Sequence, residues 1–201
     1  MNRRLIHSQL LLVFLLFTVL FFPMSAQAHS EGHSAGFMHG FTHPLGGLDH
    51  LAAMVAVGLW ATQMGRRAIW AVPLTFVLVM VLGGFLGTAG LAIPFVEQGI
   101  AYSVLVLGVL IAAMIRVPIA VSATIVGLFA IFHGYAHGAE MPPTASGVAY
   151  GLGFAVATAL IHLNGIGLGL LCQNLFRDNL RLTQRFVGGI IISLGVYLCL
   201  S

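Results

Sequence analysis

Two short runs set imidazoles and carboxylates inside stretches of chain that are otherwise apolar. Phe132-His133-Gly134-Tyr135-Ala136-His137-Gly138-Ala139-Glu140 places two histidines four residues apart. In a helix that spacing stacks both rings on one face, where two imidazoles can grip one metal ion, and Glu140 continues the face. His43-Pro44-Leu45-Gly46-Gly47-Leu48-Asp49-His50 supplies two more imidazoles and a second carboxylate. Read as a helix that starts on Pro44, whose missing N–H does no harm in a first turn, the run holds His43 at the cap and His50 seven residues on. The two rings then share a face but stand about 10 Å apart. They form successive stations for an ion, unless Gly46-Gly47 lets the first turn unwind. Asp49 is either a direct ligand or the acceptor that orients a histidine through its second N–H. Met54, one turn beyond His50, reads as a core gap-filler.

Other histidines extend the pattern. His162, in His162-Leu163-Asn164-Gly165, is either a deeper way-station or a ring bonded across helices. His29, Glu31, His33 and His39 precede the first run, either as a solvated tail or as a histidine-dense arm that captures metal. Neutral imidazole with carboxylate suits zinc, copper, iron or nickel, and no thiol cluster points to Cu(I) or iron–sulfur chemistry. A late first-row divalent ion is the chemistry expected.

The elements that must position these groups are membrane helices. The chain is 59% hydrophobic and 6% charged, with a mean hydropathy of +1.03, far from a soluble domain. Unpaired polar groups cost several kcal/mol in hydrocarbon, so ionisable residues there default to function. The eight arginines are dispersed and lysine is absent, which leaves no basic face for nucleic acid. The two cysteines, Cys172 and Cys199, do not make a disulfide framework. No GxxxxGK phosphate loop occurs, so this chain brings no ATPase of its own.

Residues 1–28 have the basic start, apolar middle and Ala26-Gln27-Ala28 end of a cleaved signal peptide. Residues 29–43 then form a His-rich exported tail, and 44–201 a transmembrane domain. Its six expected segments are Pro44–Met64, Ala68–Ala92, Gln98–Ile115, Val117–Gly138, Ala145–Gln173 and Phe186–Leu200, each judged long enough to cross the bilayer. Arg66 and Arg67, Arg116, and Arg177, Arg181 and Arg185 then fall in loops on one side, which the positive-inside rule makes cytoplasmic. Both mature termini lie on the exported side. The two motifs then occupy the same layer, His50 and His133 each about 9 Å in from that side.

Together the two runs resemble the H-P-x-x-G-x-D-H and F-H-G-x-A-H-G-x-E signatures of the HupE/UreJ family of bacterial nickel permeases, and match them at every fixed position. The resemblance implies a six-helix protein of the bacterial inner membrane that takes up Ni2+, in some members Co2+, to supply hydrogenase or urease. Carried over by motif, His43, Asp49, His50, His133, His137 and Glu140 would be its functional residues. The H-x4-D-H signature of the larger nickel and cobalt permeases does not fit, because five residues separate His43 from Asp49.

The expectation is therefore an all-α secondary permease and not an enzyme, with Ni2+ as transported ion and Co2+ or Zn2+ as alternatives. Its metal residues are His29, His33, His43, Asp49, His50, His133, His137, Glu140 and His162. Its partners are the divalent ion and the lipid bilayer, with a homo-oligomer left open. Two rivals compete. A haem b held between histidines of different helices leaves Asp49 and the His133–His137 pair unexplained. An intramembrane serine hydrolase at Ser146 lacks the leading glycine of the GxSG motif.

Overall fold

The computed structural model describes residues 33–142 and 146–201, and all regular structure among them is helical. The helices are α1 (His33–Gly46), α2 (Leu48–Met64), α3 (Arg66–Thr88), α4 (Val96–Ala112), α5 (Ile119–Ala139), α6 (Gly147–Leu175) and α7 (Leu180–Leu200), with a 3-10 turn at Arg177–Asn179 before α7. The signal segment 1–28 and His29 lie outside the described residues. The stretch read as a tail is helical from His33 onward.

This is a membrane protein by the length and apolarity of its helices. α3, α5, α6 and the run Arg177–Leu200 each suffice to cross a membrane. On α3, Trp70, Leu74, Leu78 and Phe85 are exposed, as a lipid-facing side requires. Six complete crossings were expected from the apolar segments; among the described residues four helices are long and apolar enough, or five if α1 and α2 count as one broken span. α4 has 17 residues, about 25 Å at 1.5 Å per residue against a core of about 30 Å.

The first expected segment is corrected most. Its helix does not start at Pro44: α1 runs through Pro44 to Gly46, the chain breaks at Gly47, and α2 leaves at 83°. α1 continues upstream because it packs closely on α6, where a Cβ on Gly153 would overlap the carbonyl oxygen of Phe37. Pro44 sits in the last turn of α1, where its missing N–H and its ring weaken continuation of the helix.

α2 is the central element. Every residue from His50 to Gln63 is buried, the mark of a helix enclosed on all sides. Its far end is tied down by Trp60 Nε1–H donating to the Ile115 carbonyl at 2.9 Å and by Gln173 Nε2–H donating to the Thr62 carbonyl at 3.0 Å. These bonds gather the ends of α2, α4 and α6 at the arginine-bearing end of the bundle.

α5, which carries the second histidine run, lies directly on α3. A Cβ on Gly134 would overlap the Met80 carbonyl oxygen, and one on Gly138 the Gly84 carbonyl oxygen. Small residues are what let membrane helices approach so closely. Gly134→Val is expected to destabilise the protein by about 1–3 kcal/mol through overpacking. A lowered unfolding temperature in detergent would show it, with Gly151→Val as the silent control because nothing stands within 4 Å of that Cβ position.

Candidate metal centre

The break at Gly47 folds the first histidine run back on itself. Gly47 is extended, and a Cβ there would come within 2.6 Å of Asp49 Oδ1 and 3.2 Å of His50 Nδ1, so glycine leaves room for both side chains. His43 and His50 are therefore not two stations on one straight helix face. Both rings meet His137 of α5: centroids are 4.7 Å apart for His43 and 4.3 Å for His50. The His50 ring also stands edge-on to His133 at 4.7 Å.

At the outer tier, His43 Nε2 lies 3.0 Å from Glu140 Oε2. One ligand atom from each of His43, His137 and Glu140 can be chosen so that all lie within 4.8 Å of one another, a spacing that one metal ion can bridge. Exposure falls along this set: the Glu140 side chain is 56% exposed and that of His43 28%, whereas residue exposure is 3% at His137 and 0% at His133. The groups form a ladder from solvent to interior.

Hydrogen bonds settle which nitrogens remain free. Asp49 Oδ1 accepts from the His50 backbone N–H at 2.7 Å and from His50 Nδ1–H at 2.9 Å. A carboxylate can only accept here, so His50 keeps its proton on Nδ1 and turns a bare Nε2 inward, where it is buried without a partner. Of the two roles open to Asp49, the geometry gives it that of orienting His50. Asp49 also lines, with Glu97, Gln98 and Tyr102, a cleft of about 420 Å³.

Ser103 of α4 does for His133 what Asp49 does for His50. Its hydroxyl donates to the Ile100 carbonyl at 2.6 Å, and its Oγ lies 3.1 Å from His133 Nε2. With its one hydrogen spent, Ser103 accepts from Nε2–H, leaving Nδ1 of His133 as an unpartnered buried lone pair. Sequence reasoning missed this residue, because a lone serine in an apolar run carries no spacing signal. Ser103→Ala removes the bond that fixes this tautomer and is expected to weaken metal binding about 10- to 100-fold. Titration of purified protein with Ni2+ would measure the change.

His137 has neither ring nitrogen bonded and leans on the Phe154 ring at 3.9 Å. His162 does not join the cluster. Phe76 of α3 stands between, its ring 5.4 Å from His133 and 5.1 Å from His162. Both nitrogens of His162 are buried without partners, so no bond across helices accounts for it. Nothing is described for the side chain of His33, whose backbone begins α1. Ser146 caps α6 by accepting from Ala149 N–H at 3.5 Å.

A protein-family profile described as "HupE / UreJ protein" matches residues 16–198. The chain is 43% identical over 176 residues to Protein HupE of Rhizobium leguminosarum bv. viciae, across 88% of this chain and 91% of that one. No solved structure matches.

Proposed function

The chain belongs to the HupE/UreJ family, and from that premise we propose that it is a secondary permease carrying Ni2+ across the bacterial inner membrane for metalloenzyme maturation. The observation that supports this most is the ladder of buried imidazoles with unpartnered nitrogens, which starts at exposed Glu140 and half-buried His43 and continues through His137 to His50 and His133. Buried nitrogens without partners are costly to keep, and a hydrated cation that must shed water needs them. The ion exchanges water first for Glu140, His43 and His137, then for the bare Nε2 of His50 and Nδ1 of His133. His162 takes it beyond Phe76. Sites of moderate affinity in series let it leave again.

The six-crossing topology with both mature termini exported belongs to this proposal, as does signal cleavage after Ala28. N-terminal sequencing of the mature protein is expected to begin at His29. That end would place a free amine beside the His29 imidazole, with His33 close behind, as the capture arm.

Uptake of radioactive nickel by proteoliposomes, with cobalt and zinc as competitors, tests the reading. Saturable uptake that nickel competes for best is expected. Uptake no faster than in empty liposomes would refute it. A Soret band in the purified protein would favour the haem alternative, although His50 and His133 are in direct ring contact and would have to part to admit a porphyrin.

A further inference from the structure

Tyr150, in the first turn of α6, belongs to neither histidine run, yet the fold brings it to the outer tier. A Cβ on Gly40 of α1 would overlap the Tyr150 carbonyl oxygen, so α1 lies directly on the start of α6. His39 and His43 flank that contact. The ring centroids of Tyr150, His39 and His43 stand 6.1 Å apart in each of the three pairings. His39, read from the sequence as part of a tail or an arm, is thus held one turn before His43 and is exposed to solvent.

Tyr150 itself is 3% exposed, and its hydroxyl is buried without a partner. A buried phenol normally finds one, and phenylalanine would pack this corner with no polar atom to satisfy. The charge of Glu140 reaches the hydroxyl, and Glu140 is the residue that can surround one ion together with His43 and His137. A phenol oxygen accepts as well as donates. A donor that arrives with the ion would answer it.

Such a donor is the ion's own water. Three protein ligands leave the remaining coordination positions to water, whose O–H bonds the divalent charge polarises. Zinc held by three side chains takes one further ligand. Nickel with nitrogen and oxygen ligands favours tetragonal coordination and so keeps more of its waters. We propose that Tyr150 is a specificity-determining residue of the outer tier: its Oη accepts a hydrogen from a water beyond the fourth position, which nickel carries and zinc does not. The inference rests on the permease reading and adds to it a basis for choosing among ions. Tyr150 acts through that water and is a positioning residue, not a ligand.

Wild type and Tyr150→Phe, both full length, are titrated with Ni2+ and with Zn2+, and both are assayed for nickel uptake in proteoliposomes. Tyr150→Phe is expected to bind nickel about tenfold more weakly with its zinc affinity unchanged, and to take up nickel with a raised KM. The retained zinc binding shows that the variant is folded with its three ligands in place. Wild-type nickel affinity in the variant, or equal losses for both metals, would overturn the assignment, the second result marking Tyr150 as packing alone. If the variant loses its preference in titration but the wild type takes up no nickel, the permease reading falls and Tyr150 keeps its role at a centre that binds ions without passing them. A wild type that binds neither ion removes both.

Discussion

His137→Leu is expected to abolish nickel accumulation by cells while leaving the metal-free protein at least as heat-stable as the wild type. His137 is the ring that touches both His43 and His50, so its loss separates the outer tier from the inner one. Two buried nitrogens without partners burden the apo protein by about 1–3 kcal/mol each, and leucine removes both while filling most of the space beside Phe154. A structural histidine would behave oppositely, its replacement lowering stability. Thermal unfolding with and without Ni2+ separates the cases. At a hundredfold excess over Kd, bound metal stabilises a protein by about 2.7 kcal/mol. The wild type is expected to show such an upward shift and His137→Leu none. Wild-type accumulation in the variant would refute the assignment.

Asp49→Asn is expected to reduce nickel binding and uptake about 10- to 100-fold without loss of folded protein. The substitution keeps the shape of the side chain but removes an acceptor that is unconditional. Asparagine can turn its NH2 toward His50 Nδ1, which moves the imidazole proton to Nε2 and blocks the lone pair that faces the cluster. The effect should resemble Ser103→Ala in sign, since both free a ring to take the wrong tautomer. Competition between nickel and protons should also change, because imidazole binds metal only when the nitrogen concerned is unprotonated. Uptake measured from pH 6 to pH 8 would check this, with equal uptake by variant and wild type throughout as the failing result.

The two histidine runs were legible because their spacings are rare inside apolar sequence, and the arginines alone showed which helix ends share a face. What composition could not show was the corner. Proline after a histidine reads as a helix start, and that reading sets His43 about 10 Å from His50. Only the packing of α1 on α6, which the local sequence does not encode, carries the helix past Pro44 and places the break at Gly47. The same limit hid Ser103 and Phe76. Each is ordinary in its own segment and takes a role only from a neighbour in another helix. The bounds of α4 differ for another reason: the expected segment ran from Gln98 to Ile115, but the helix starts at Val96 and ends at Ala112, with Met114 in the left-handed region.

The enclosure of α2 also bears on how the protein is made. A segment with no side left for lipid gains little from the bilayer itself, and its lasting neighbours α4 and α6 are synthesised after it. Ribosomes release α2 early, yet its proper surroundings exist only once the chain has been translated through Leu175. Fragments ending before that point should be short-lived substrates for membrane proteases, and the histidines of the first run can acquire their partners only once α5 and Glu140 have been made.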